Sequence, residues 1–264
     1  MSTSIIPTAS GSTPNTSQFD SQPRYQVSWH FWLQWTLATA AGWVLGAAVY
    51  SILIPVLAQA SLFVWVILLG VLFAGTIAVA FGFTQGLVIR RIGLSSRKWI
   101  LSSVTGGSIG GLLSTVAVVL VIILFTPIGR NLHIVYSPIF TLVTDALFLA
   151  MCGLITGASI GYRQRRALRD SSLGKLHWTT INALSWATGC AAIVPVSWLL
   201  LGNTLYPFFG IVGNNVIQSV TLNALCGLVG GAITGYPLMR ALQQSPIQNP
   251  KSEIKDESSS SHVG

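Results

Sequence analysis

Acidic side chains are almost missing from this chain. Six Asp and Glu occur in 264 residues, and charged residues of either sign make up 8% of it. Soluble domains carry roughly a quarter charged residues, so this composition cannot cover a water-facing surface, and it places the chain in a membrane. Cysteine is scarce as well. Cys152, Cys190 and Cys226 are the only three, with no Cys-x-x-Cys pair and no histidine at ligand spacing, so they read as reduced, buried packing residues rather than a redox or metal centre. His-Glu-x-x-His and the phosphate-binding Gly-x-x-x-x-Gly-Lys loop are absent, and no residue pattern implies a metal or a cofactor. The start of the chain lacks the basic stretch and short apolar core of a signal peptide, so the first helix is expected to stay uncleaved.

What the chain has is apolar length. About 20 apolar residues in a row span a bilayer core, and six such runs are present, near 31–54, 62–89, 99–126, 139–162, 178–201 and 216–242. The expected class is all-α, a polytopic bundle of six transmembrane helices. A polar tail over 1–28 and a second over 243–264 would flank a single membrane domain over 29–242. Both tails are too polar to bury a core.

The formal net charge of +8 is distributed unevenly. Arg90, Arg91, Arg97 and Lys98 follow the second run, Arg163, Arg165, Arg166, Arg169 and Lys175 the fourth, and Arg24, Arg240, Lys251 and Lys255 lie towards the ends, whereas the opposite loops hold Arg130 alone. Such a bias predicts that both termini and the two basic loops face the cytoplasm. It predicts anionic lipid headgroups as neighbours. Nucleic acid is not expected, because no basic patch is interleaved with aromatics.

Cys152 to Tyr162 returns as Cys226 to Tyr236 with seven of eleven positions identical. Each copy is a ladder of glycines four residues apart, Gly153, Gly157 and Gly161 and then Gly227, Gly231 and Gly235. On a helix this clears a stripe that lets a neighbour approach to backbone contact, a glycine zipper. Ala78, Gly82 and Gly86 are expected to hold the same places earlier in the chain. In the odd helices Trp35 precedes Gly42 and Gly46, Trp99 precedes Gly106 and Gly110, and Trp178 precedes Ser185 and Gly189 at one common spacing. The expectation is three tandem helical hairpins in a pseudo-threefold bundle, an internal repeat. Trp29, Trp32, Trp35, Trp99 and Trp178 would be anchors at the inner headgroup level, and Pro195 and Pro237 would kink their helices.

Gly82-Phe-Thr-Gln85-Gly-Leu-Val-Ile-Arg90-Arg91, Trp99-Ile-Leu-Ser-Ser-Val-Thr-Gly106 and Gly231-Ala-Ile-Thr-Gly235 together resemble a group of uncharacterised multi-pass bacterial membrane proteins, commonest in cyanobacteria. That group often has Gln-Trp where this chain has Gln85-Gly86. The resemblance implies a cell membrane, with a thylakoid membrane as the other setting, and it brings no known activity.

Chemistry has few candidates. Gly106-Gly-Ser108-Ile-Gly110 has the form of a serine nucleophile, but a nucleophile needs a base within hydrogen-bond reach, and His30, His133, His177, Lys98 and Lys175 all fall at helix ends. Ser108 reads as packing. Asp145 is the one acidic residue inside an apolar run, where an ionisable group is a functional candidate by default. At 100° per residue Cys152, Thr156 and Ser159 share its face to within about 40°, and Asn182, Gln218 and Asn223 from later helices would extend that polar stripe. The alternative is structural, a wetted helix end or a pair with Arg130 or His133. The expected role is therefore non-enzymatic, acting through partners, lipid or a homo- or hetero-oligomer. The second reading is a small-solute permease or substrate-binding membrane subunit using the ligand-binding candidates Asp145, Cys152, Thr156, Ser159, Asn182 and Asn223.

Overall fold

The computed structural model describes residues 27–57, 62–132, 138–169, 171–201 and 216–244. Among these every regular element is helical: α1 (Trp29–Leu57), α2 (Leu62–Arg91), α3 (Ser96–Leu132), α4 (Pro138–Leu168), α5 (Trp178–Leu201) and α6 (Val216–Gln243), with one 3-10 turn at Ser172–Lys175. Each of the six contains a span long and apolar enough to cross a membrane, with mean hydropathy between 1.2 and 2.0. Helix is what lipid demands, since a backbone with no water around it must satisfy its own polar groups. The hydroxyls obey the same rule. Thr36, Thr39, Ser103, Thr115 and Ser159 each donate to the carbonyl one turn back, at 2.8 to 3.0 Å.

Helix ends follow local chemistry. Gly93 takes φ +80° just after α2, and the Gly93 and Leu94 amides return to the Arg90 and Ile89 carbonyls at 3.2 and 3.3 Å, the left-handed closure that glycine permits. Ser95 then opens α3, its hydroxyl accepting from the Lys98 amide at 3.4 Å. Ser28 opens α1 in a similar way, accepting from the His30 amide at 3.3 Å.

The helices form a closed ring in chain order, each touching the next and α6 returning to α1. Three hairpins, α1–α2, α3–α4 and α5–α6, thus follow one another around the ring. Around the ring the seams are lined with small residues. A Cβ added at Gly106 would lie 2.6 Å from the Ile160 Cα, at Gly110 2.7 Å from the Thr156 Cα, at Gly153 2.5 Å from the Trp186 carbonyl oxygen, and at Gly157 2.6 Å from the Asn182 carbonyl oxygen. Gly227 and Gly231 meet the Ala40 and Thr36 Cα atoms in the same way, at 2.6 and 2.8 Å, and Gly235 meets the Trp35 ring at 2.7 Å. Here backbone lies against backbone.

Two expectations change. The ladder of the second hairpin is displaced by one turn: Gly82 faces Ser103, Gly161 faces Asn182 and Gly231 faces Thr39, so Gly82 stands level with Gly161 rather than with Gly157. A pattern of period four maps onto itself after one helical turn, and cannot fix its own register. The tryptophans are the second correction. Trp29 is 59% exposed, but Trp35, Trp99 and Trp178 are exposed by no more than 1%. They fill the middle of the bundle instead of anchoring it to headgroups, because internal acceptors for their indole N–H groups let the large rings be buried without cost in unpaired polar atoms.

Candidate functional site

The axis of the bundle is built in layers, starting from the end where Arg90, Arg91, Arg165, Arg166 and Arg240 close α2, α4 and α6. In the first layer the rings of Trp35, Trp99 and Trp178 form a triangle with centroids 5.8, 5.7 and 6.1 Å apart. Phe31, Val88, Ile89, Leu168, Leu173, Leu238 and Met239 pack with them in one apolar cluster.

A chain of hydrogen bonds locks this triangle. Trp99 Nε1 donates to Gln85 Oε1 at 3.3 Å, Trp178 Nε1 to Gln164 Oε1 at 2.8 Å and Trp35 Nε1 to the Thr234 hydroxyl at 2.9 Å. Each glutamine then donates from its amide nitrogen, Gln85 to the Thr39 hydroxyl at 2.9 Å and Gln164 to the Ser103 hydroxyl at 2.8 Å. In the third hairpin the sizes are exchanged. Short Thr234 replaces the glutamine, and long Asn182, which donates to the Trp178 carbonyl at 3.1 Å, stands where Thr39 and Ser103 stand. One long and one short polar side chain per hairpin keeps the layer filled. A space of only about 10 Å³ remains beside it, lined by Thr39, Gln85, Asn182, Ser185 and Thr234 among others. That is on the order of a single water.

Beyond this layer Trp43 and Trp186 meet at 4.7 Å, with Phe81 5.5 Å from Trp186. The corresponding place in the second hairpin is Gly107, which lets α3 close onto Ala78 of α2. Past these rings, in the other half of the bundle, lies a cavity of about 120 Å³ between α1, α2, α3, α4 and α5. Its walls include Trp43, Phe73, Phe148, Leu149 and Trp186, with Ser114, Thr115, Thr156, Cys152 and Cys190 as the polar exceptions. Those exceptions are already engaged in part: the Ser114 hydroxyl donates to the Cys152 carbonyl at 3.1 Å and lies 3.0 Å from the Thr156 hydroxyl. No charged residue lines the cavity.

The candidate ligand residues fall in different places. Cys152 and Thr156 line the 120 Å³ cavity, Asn182 lines the small polar space, and Asp145 and Ser159 line neither. Ser159 is tied to its own helix through the Ile155 carbonyl at 2.9 Å. Asn223 is buried in α6 and is engaged by other groups. Asp145 is half-buried on α4 with no hydrogen-bond or ion-pair partner among the described residues. The side chains of Arg130 and Gln218, and His133, lie outside the described residues. Among the described residues no group of three His, Cys, Asp or Glu is placed to hold a metal ion.

No family model, curated protein or solved structure matches the chain.

Two groups escaped sequence reasoning. Gln85 and Gln164 sit in apolar helices and look like isolated polar residues; their one signal is that each precedes a tryptophan by 14 residues. Cys190 and Cys226 bring their sulfurs to 4.0 Å across the α5–α6 seam, where a Cβ on Gly189 would lie 2.9 Å from the Cys226 carbonyl oxygen. Nothing in their spacing announces that meeting.

Proposed function

We propose that this chain is a non-enzymatic integral membrane protein that works through helix packing with partners, with itself or with lipid, and that it passes no solute along its axis. The observation behind this reading is the closed axis. Three tryptophan rings no more than 6.1 Å apart, each exposed by 1% or less, stop it on one side, and Trp43, Phe81 and Trp186 stop it again about two turns further on. A permease needs polar groups along its path, and the larger cavity has an apolar lining apart from hydroxyls and thiols.

In this reading the glycine ladders are zippers that hold the ring shut, and the matched tryptophan and glutamine positions descend from a repeated hairpin. The basic end faces the cytoplasm and meets anionic headgroups, in the cell membrane or a thylakoid membrane. The second reading, a small-solute permease or substrate-binding subunit, is favoured by Asp145, whose half-buried carboxyl has no described partner. Proteoliposomes separate the two. Uptake of labelled amino acids, sugars and monovalent ions should match that of protein-free vesicles; uptake that depends on the protein and is lost in Asp145→Asn would replace the first reading with the second.

A further inference from the structure

Where α4 leaves the apolar span, its last turns and the 3-10 turn enclose a cleft of about 390 Å³ lined by Tyr162, Arg165, Arg166, Arg169 and Gly174. Its floor is fixed. Leu173 of the turn is buried with Leu168 and Trp178 in the tryptophan layer, and a Cβ on Gly174 would lie 2.9 Å from the Arg169 carbonyl oxygen. One arginine is also held in place, since Arg166 Nη2 donates to the Tyr162 hydroxyl at 3.0 Å and its guanidinium carbon lies 5.0 Å from the ring centre. The Tyr236–Arg240 pair of α6 repeats this contact at 3.2 and 5.4 Å, but no further arginine follows it in the described chain. Over 163–175 the charge is Arg163, Arg165, Arg166, Arg169 and Lys175 against Asp170.

We propose that this cleft is a binding site for the phosphate headgroup of an anionic membrane lipid. Guanidinium groups bind phosphate oxygens through paired, charge-assisted hydrogen bonds, and three of them converge here on a floor that does not move with them. The choice of a lipid over a free anion rests on depth and on the helix face below. Tyr162, Arg165 and Arg166 lie within the apolar span Ile139–Leu168, so the cleft opens at headgroup level. Leu147 and Leu154, both exposed, fall within about 20° of Arg165 on the helix, an apolar track for an acyl chain. The proposal rests on the membrane reading above and is independent of whether the protein transports anything.

The test is lipid retention by the full-length protein. Protein in nanodiscs of phosphatidylcholine with phosphatidylglycerol is released into the gas phase, and bound lipids are counted by native mass spectrometry. Phosphatidylglycerol should be retained over phosphatidylcholine by about tenfold. Replacing Arg165, Arg166 and Arg169 together by glutamine should abolish that preference, while replacing Arg90, Arg91 and Arg97, an equal loss of charge at the same end, should leave it. Should the first triple fail to assemble, Arg165→Gln alone, at an exposed position, carries the same comparison. Tyr162→Phe should weaken retention by freeing Arg166. No preference in the wild type, equal loss in both triples, or displacement of the lipid by millimolar inorganic phosphate would overturn the proposal, the last pointing to a free-anion site. A flux result in proteoliposomes would touch none of these outcomes.

Discussion

Gln164 accepts the indole N–H of Trp178 at 2.8 Å while its own amide reaches the Ser103 hydroxyl, also at 2.8 Å. One side chain thus joins α4 to both neighbouring helices. Single interhelical hydrogen bonds inside membranes average only about 0.6 kcal/mol. A buried donor left without a partner costs more, about 1–3 kcal/mol. Gln164→Leu strands the Trp178 N–H and should therefore lower the stability of the detergent-solubilised protein by about 1–3 kcal/mol. Thr105→Val, at an exposed site bonded only within α3, is the control. Equal melting temperatures for the two variants would show that the tryptophan layer is not locked in this way.

The seams should respond to glycine substitution in a graded way. At Gly157 an added Cβ would lie 2.6 Å from the Asn182 carbonyl oxygen, which is backbone and cannot turn aside, whereas at Gly86 it would lie 3.2 Å from the Ile100 side chain, which can. Gly157→Ala should therefore cost about 1–3 kcal/mol, the range of overpacking, and Gly157→Leu or Gly231→Leu more. Gly86→Ala should be close to neutral, and Leu149→Ile mild. Thermal melts that rank Gly86→Ala below Gly157→Ala would contradict the seam geometry.

Orientation is open to direct labelling. On a cysteine-free background, a membrane-impermeant maleimide added outside intact cells should reach a cysteine placed at Asn131 or Asn203 and miss one at Ser95 or Ser172. Labelling of the second pair would reverse the orientation proposed from the basic residues.

Asp145→Asn separates a structural ion pair from a carboxylate that has none. The substitution keeps size and removes the ionisable charge. Without a described partner, stability should change by less than about 0.5 kcal/mol, the range of ordinary surface changes. A larger loss that is rescued by neutralising Arg130 as well would reveal an ion pair, because only residues in contact couple in a double-mutant cycle.

The α5–α6 seam has a chemical reporter. With sulfurs 4.0 Å apart, Cys190 and Cys226 should be bridged together by phenylarsine oxide, a neutral reagent that condenses with two close thiols and releases water. One free thiol, Cys152, should remain by titration of the denatured protein. Cys226→Ala should end this protection, and three titratable thiols in the treated wild type would place the helices further apart.

The sequence by itself determined the class, the number of helices and the common end at which the basic residues gather. Those properties follow from how long each apolar run is and from where charges interrupt it, and both are sums over neighbours in the chain. The glycine ladders were legible for the same reason, as a stripe on one helix. Their register was not, since a period of four is unchanged by a one-turn slide. Only the contacts of Gly82, Gly161 and Gly231 with Ser103, Asn182 and Thr39 chose among the alternatives. Likewise the sequence placed Trp35, Trp99 and Trp178 at matching positions but could not say whether they face lipid or one another. That was decided by Gln85, Gln164 and Thr234, which satisfy the indoles from other helices. Asp145 drew attention as a charge in an apolar run, yet the cavity formed elsewhere, among Trp43 of α1, Phe73 of α2, Ser114 of α3, Phe148 of α4 and Trp186 of α5. A cavity is the volume that several helices fail to fill together, and no single helix carries that quantity in its own sequence.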